Sequence, residues 1–260
     1  MERGVTFAIH PDAQSVTASL FQKAIGEVIR LVIDVDYAVT RERNPRRWII
    51  GSLSTSVPTI TLIPILHEVN TVDAIIAGVR RVASGEATDP PEFFTEQALD
   101  DLRTMHRLFR GRDRAKRLVF SANGSGEAIV DSGIAEKVQK ILAGGYWNLG
   151  SVEGSLDAIN LHGRPTLTLW DRVSGAPVRC SFPGDPNWKA KVKGLLEKRV
   201  VVRGKVHYFR NGIPRSISDV EDLIDATPRA DLPQAFFGCV PDREAASDPA
   251  GFLRRARGGG

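Results

Sequence analysis

Basic and aromatic side chains alternate with apolar ones along three short β-like runs in the second half of the chain. Thr166, Thr168 and Trp170 alternate with Leu167 and Leu169, and Arg179 and Ser181 alternate with Val178, Cys180 and Phe182. Val201, Arg203, Lys205, His207 and Phe209 alternate with Val200, Val202, Val206 and Tyr208. A strand turns successive side chains to opposite faces. With the larger apolar set turned inward, the outer face carries Trp170, Arg179, Arg203, Lys205, His207 and Phe209. Cations that neutralise phosphates, interleaved with flat rings on which bases stack, are what single-stranded nucleic acid requires. The same face suits an acidic protein surface, and an outward Trp is also what a covering domain or second chain would bury.

Other constellations point away from catalysis. Asp34 and Asp36 form an Asp-x-Asp pair that can hold a divalent cation, but they fall at the end of an expected helix with no third acid close in sequence, which reads as a solvated helix end. The five His are scattered and no two have metal-ligand spacing. Gly124-Ser125-Gly126 lacks the Lys-Ser/Thr of a phosphate-binding loop and the third Gly of a dinucleotide fingerprint, so it reads as a hairpin turn. No nucleophile elbow, Cys/His pairing or kinase motif is present. We therefore expect a non-enzymatic binding protein with no cofactor and no metal. Arg103, Arg107, Arg110, Arg112, Arg114, Lys116 and Arg117 form a second basic run, whose first three members share one helix face. That run is either a solvated face or an extension of an anion track.

The elements that must position these groups follow from periodicity. In the first half, a strand over Val5–Ile9 precedes a helix from Val16 to Val35 with Ser15 as its cap. Strands over Trp48–Ser54 and Thr59–Ile65 follow, then a helix capped by Thr71 and a third from Thr95 to Phe109. A hairpin of Leu118–Ala122 and Glu127–Val130 precedes a fourth helix, from a Ser132 cap to Leu142. The order β-α-β-β-α-α-β-β-α predicts an α+β fold. Beyond Gly144-Gly145, strands are expected at Val152–Leu161, Thr166–Trp170 and Pro177–Phe182. A helix opened by Asp185-Pro186 follows, then strands at Val200–Phe209 and Ile213–Ser218 joined by Asn211-Gly212, a type I′ signal.

The chain has 260 residues, 42% hydrophobic and 25% charged, enough for one or two domains with substantial cores. Two Cys, Cys180 and Cys239, exclude a disulfide framework. No apolar run approaches the ~18 residues of a membrane span, and the N-terminus lacks an apolar signal core. A cytoplasmic protein without a membrane partner is expected. The net charge of +4 is uneven. Residues 151–217 hold 12 Lys/Arg against 5 Asp/Glu, net +7, whereas residues 218–260 hold 5 against 8, net −3. A local basic excess is an electrostatic footprint for polyanions.

Three strands, one helix and two strands within about 70 residues, with Gly154 inside Val152–Leu156 and Gly204 inside Val200–Val206, resemble the OB-fold. The resemblance covers residues 150–218 and implies a five-stranded barrel of a kind that binds oligonucleotides, oligosaccharides or proteins. The expected organisation is an α+β domain over 1–146, an OB-like barrel over 150–218 and a docking tail over 219–260.

That tail has its own signal. Val220–Ile224 reads as a short helix, and Phe236, Phe237, Phe252 and Leu253 are apolar residues on a loop-like segment. The closing run Asp248-Pro249-Ala250-Gly251-Phe252-Leu253-Arg254-Arg255-Ala256-Arg257 resembles the toxin-docking tails of small bacterial antitoxins that partner PIN-domain ribonucleases. The resemblance implies an alternative function, an antitoxin or interaction module that docks a ribonuclease toxin through Phe252, Leu253 and Arg254.

Overall fold

The computed structural model describes residues 4–12, 16–41, 48–54, 57–65, 69–122 and 126–227. The described residues through Ala226 belong to one compact unit. It is α+β, with five α-helices and two five-stranded sheets among the described residues.

The first sheet is built from β1 (Val5–Pro11), β2 (Trp48–Ser54), β3 (Thr59–Pro64), β4 (Ala115–Ala122) and β5 (Gly126–Val130), in the order β2-β3-β1-β4-β5. All its pairings are antiparallel. Alternation places Val5, Phe7 and Ile9 of β1 and Leu118 and Phe120 of β4 in the core, with the Phe7 and Phe120 rings 5.1 Å apart. Helices α1 (Ala18–Thr40), α2 (Val69–Ser84), α3 (Glu96–Thr104) and α4 (Ile134–Ala143) complete that core, and a 3₁₀ helix over Met105–Phe109 continues α3.

Helix α1 starts where Thr17 Oγ1 accepts the Leu20 N–H at 3.3 Å, and Ser15 lies outside the described residues. It runs five residues past the expected end, to Thr40, and is capped by Arg41 in a left-handed conformation, whose N–H donates to Tyr37 O. The expected Ser132 cap of α4 is corrected: Gly133 holds the cap position, and the Asp131 carboxylate accepts the Gly133 N–H at 2.9 Å.

The second sheet comprises β6 (Tyr146–Asn160), β7 (Thr166–Asp171), β8 (Pro177–Ser181), β9 (Arg199–Tyr208) and β10 (Pro214–Asp225), with α5 (Pro186–Gly194) between β8 and β9. These strands close on themselves as β10-β8-β7-β6-β9, and β10 and β8 run parallel while the other pairs are antiparallel. Val152, Leu156, Leu169, Val178, Val202, Val206 and Ile217 fill the interior. At Gly154 a Cβ would meet the Trp170 carbonyl oxygen at 1.9 Å, so the glycine permits the close strand approach.

Two strands of the barrel run six or more residues past their expected bounds. Strand β6 begins at Tyr146, six residues early, and enters the barrel almost directly from α4. Val220–Ile224 is not a helix but the end of β10, which recovers its pairing with β9 after a register shift between Ser218 and Asp222. Asp219 takes a left-handed φ of 50° in that shift, the behaviour of a β-bulge. The β9–β10 turn is corrected too: Gly212 has a φ of 83°, whereas Asn211 is not at positive φ, so it is not type I′. Phe209 O accepts the Gly212 N–H and Phe209 N–H donates to Ile213 O, closing a three-residue loop with the left-handed glycine last. The tail residues Phe252, Leu253 and Arg254 lie outside the described residues.

Gly154→Ala is expected to destabilise the protein by about 1–3 kcal/mol, as overpacking does. Gly194→Ala, which meets nothing within 4 Å, should be neutral or mildly stabilising. Chemical denaturation of the two variants checks this.

Candidate nucleic-acid interface

The six residues expected on one outward face separate in the structure. Trp170 is only 7% exposed. Its ring packs 5.0 Å from the Tyr37 ring of α1, and the Arg41 guanidinium sits 5.4 Å above it. Tyr37 in turn donates its hydroxyl to Asp157 of β6 at 2.5 Å. Phe209, 3% exposed, joins the core under the first sheet's helices, with the Arg215 guanidinium 6.0 Å from its ring centroid. Neither ring presents a face to solvent on which a base could stack, which corrects the expectation for both.

Arg179 lies on the wall of a cleft of about 920 Å³ between the outer face of β7 and β8 and helices α1 and α3. Its Nη1 donates to Gln97 Oε1 at 3.0 Å. Arg215 lines the same cleft, with Nη1 donating to Leu142 O at 3.2 Å. Its Nε lies 3.1 Å from Glu96 Oε1, an ion pair whose angle falls outside hydrogen-bond geometry. Asp34 also lines the cleft. Behind it, Asp101 is buried and its carboxyl is pushed up to about 8 by burial, reinforced by a hydrogen bond and charge repulsion from Asp34. Gln97 and Arg30 act in the opposite direction. The Asp34–Asp36 pair is not the solvated helix end expected of it: α1 continues to Thr40, and Asp36 is buried while Asp34 lines the cleft. Among the described residues no group of three or more His, Cys, Asp or Glu could hold a metal ion. Burial raises the Cys180 thiol far above its ordinary range, so it is not a nucleophile at neutral pH.

Arg203 and Lys205 do face outward from β9, together with residues that the sequence reading missed. Over Tyr146–Glu153, β6 pairs with β9 and has no second strand partner among the described residues. The ladder sets Trp147 opposite His207 and Leu149 opposite Lys205, and opposed residues share a side. Trp147 is 57% exposed, and the Lys205 ammonium stands 4.1 Å from its ring centroid. That is a cation–π geometry. Leu149 is exposed beside them. Arg203 continues the row, 3.7 Å from Glu221 of β10. On the opposite side of the ribbon, the exposed Tyr146 ring stacks on Tyr208 at 5.1 Å and 17°.

His207 does not add a cation to this row. Burial lowers its pKa, helped by the charges of Arg215 and Lys205, and its Nε2 shares a 3.0 Å hydrogen bond with Ser218 Oγ. The imidazole is neutral at pH 7. The aromatic platform was traceable in the alternation Trp147-x-Leu149 directly after Gly144-Gly145. It falls in residues 147–149, between the expected domain over 1–146 and the expected barrel over 150–218.

No helix among the described residues is long and apolar enough to cross a membrane. No protein-family model matches the chain, and no curated protein matches it.

Two predictions follow from these contacts. Trp170→Ala should cost about 3–5 kcal/mol, the usual loss for a buried large aromatic, read as a drop in denaturation midpoint. For Asp101, the folded carboxyl holds its proton well above the ~3.9 at which an unfolded Asp loses it. The folded state then binds more protons than the unfolded one between pH ~4 and ~8, and stability falls as pH rises through that window. Asp101→Asn should flatten this part of the profile and gain stability relative to the wild type from pH 5 to pH 8, measured by thermal melts.

Proposed function

We propose that this is a non-enzymatic binding protein whose barrel takes single-stranded nucleic acid along the outer side of β6 and β9. The carrying observation is Trp147, more than half exposed, with the Lys205 ammonium over its ring. A soluble domain gains nothing by displaying a Trp in water, whereas a base stacked on that ring is worth about 1–3 kcal/mol, irrespective of base identity. Lys205 stands beside the stacked base and would neutralise its phosphate, and Arg203 lies further along the strand in the same direction, already 3.7 Å from Glu221. The barrel as it closes, residues 146–225, holds 12 Lys/Arg against 9 Asp/Glu, a net charge of +3 of the same polarity.

The barrel is read as OB-like. Three strands, a helix and two strands close into a ring with its third and fifth strands parallel, which supports that reading. OB-folds present strands two and three to their ligands. Here the corresponding strands, β7 and β8, are turned toward α1 and α3, and Trp170 is packed on α1. The β6–β9 ribbon is the outward basic and aromatic side that remains.

Fluorescence anisotropy with a labelled single-stranded oligonucleotide at two salt concentrations tests this. Trp147→Ala should weaken binding by about 1–3 kcal/mol and leave thermal stability nearly unchanged. Lys205→Ala should reduce the slope of log affinity against log salt by about 0.7, the contribution of one phosphate on a single strand. Absence of wild-type binding at low salt, with capture of an acidic protein that depends on Lys205, would replace nucleic acid by a protein partner.

A further inference from the structure

Resting on that reading, we infer that the nucleic-acid path does not end at the barrel but crosses the α4–β6 junction into a groove between α3 and α4, where Arg107 and Lys140 hold phosphates. The groove, about 700 Å³, runs between α3 with its 3₁₀ continuation and α4. Arg103, His106 and Arg107 line one wall, and Glu136, Gln139 and Lys140 the other.

The charges sort into occupied and available. Arg103 is paired with Asp100. Arg107 and Lys140 are exposed and make no ion pair with a described residue. His106 fixes its ring through Nδ1, 2.8 Å from Arg103 O. A carbonyl only accepts, so Nδ1 carries the proton in the neutral ring and Nε2 is the other nitrogen. Asp100 and Glu136 are the carboxylates on the groove; Arg103 already holds Asp100, and two available cations outweigh Glu136. Exposed cations on facing walls, without carboxylates of their own, favour a chain of phosphates over a neutral ligand.

Continuity comes from the chain itself. Lys140 is on α4 and Trp147 is the second residue of β6. Four helical residues at ~1.5 Å and three extended ones at ~3.3 Å put their Cα atoms at most ~16 Å apart, about five stacked nucleotides at ~3.4 Å each. Between them stands a third cation, Arg210. It is exposed, its Nε lies 3.1 Å from where a Cβ on Gly144 would sit, and it makes no ion pair with a described residue. The sequence Trp147, Arg210, Lys140, Arg107 thus joins the stacking platform to the groove, and it absorbs the helical part of the second basic run. The exposed Arg112 and Lys116 of that run lie outside the groove.

The experiment compares a 3-nucleotide single-stranded DNA, too short to reach Lys140 from Trp147, and a 15-nucleotide one against the full chain. For Arg107→Ala/Lys140→Ala, the long strand is expected to bind several-fold more weakly at 0.1 M salt, with its log–log salt slope reduced by about 1.4, two phosphates at ~0.7 each. The short strand should bind as it does to the wild type. Arg112→Ala/Lys116→Ala, an equal charge loss elsewhere, should change neither by as much. Circular dichroism melts confirm that each variant is folded. Long-strand affinity insensitive to Arg107 and Lys140 but sensitive to Trp147 would overturn the groove and leave the barrel reading standing. Equal losses from the two double variants, or equal losses on both strand lengths, would also overturn it, because the effect would then be one of net charge. No binding of either strand by the wild type would overturn the barrel reading and the groove together.

Discussion

The burial of Trp170 against the end of α1 is the contact on which the arrangement of the two sheets depends. A Trp on the outer side of a small barrel cannot stay wet without cost, and Tyr37 and Arg41 cover it from the last turns of α1. Tyr37 ties down the neighbouring strand as well, through Asp157. Phe209 adds a second anchor from the opposite direction, leaving the barrel to complete the core of the first sheet. Aromatic surface of this size dominates packing energetics, so the barrel and the helical layer behave as one compact unit.

That lock decides which surfaces remain for binding. It turns the outer side of β7 and β8 into one wall of a cleft, where Arg179 is engaged by Gln97 and Arg215 by Glu96 and the end of α4. Cations already held by partners have less to offer a polyanion. The ribbon of β6 and β9 is left in water, and there Trp147 and Lys205 are engaged with each other and with no other side chain among the described residues. The same logic separates Arg103, held by Asp100, from Arg107 and Lys140.

The buried acids carry a cost that the packing around them must offset. Asp101 sits beside Asp34 with its charge suppressed by burial, and a protonated carboxyl is the cheaper state where two carboxylates share one site. Neutral His207 on β9 follows from the same principle with the opposite sign: burial and the cations Arg215 and Lys205 both disfavour its proton. Local charge state is thus set by what packs around each group.

Periodicity and punctuation in the sequence were enough for most element types and much of their order, Val220–Ile224 of β10 being the exception. The spacing of Val28, Val32 and Val35 could only be a buried helix face, and Asp185-Pro186 could only open a helix, as α5 does. Gly154 marked a strand needing close approach, since a side chain there has no room. Alternation in a strand, however, defines two faces without saying what covers either. Trp170 and Phe209 alternate as an outward pair would, yet Trp170 is covered by Tyr37 and Arg41 of α1, far earlier in the chain, and Phe209 joins the core of the first sheet. The start of β6 at Tyr146 and the persistence of β10 to Asp225 were likewise settled by pairing with β9, because a ladder partner supplies the hydrogen bonds that local propensity does not. Local sequence determined the strands and helices, and only the long-range contacts determined which of their faces meet water.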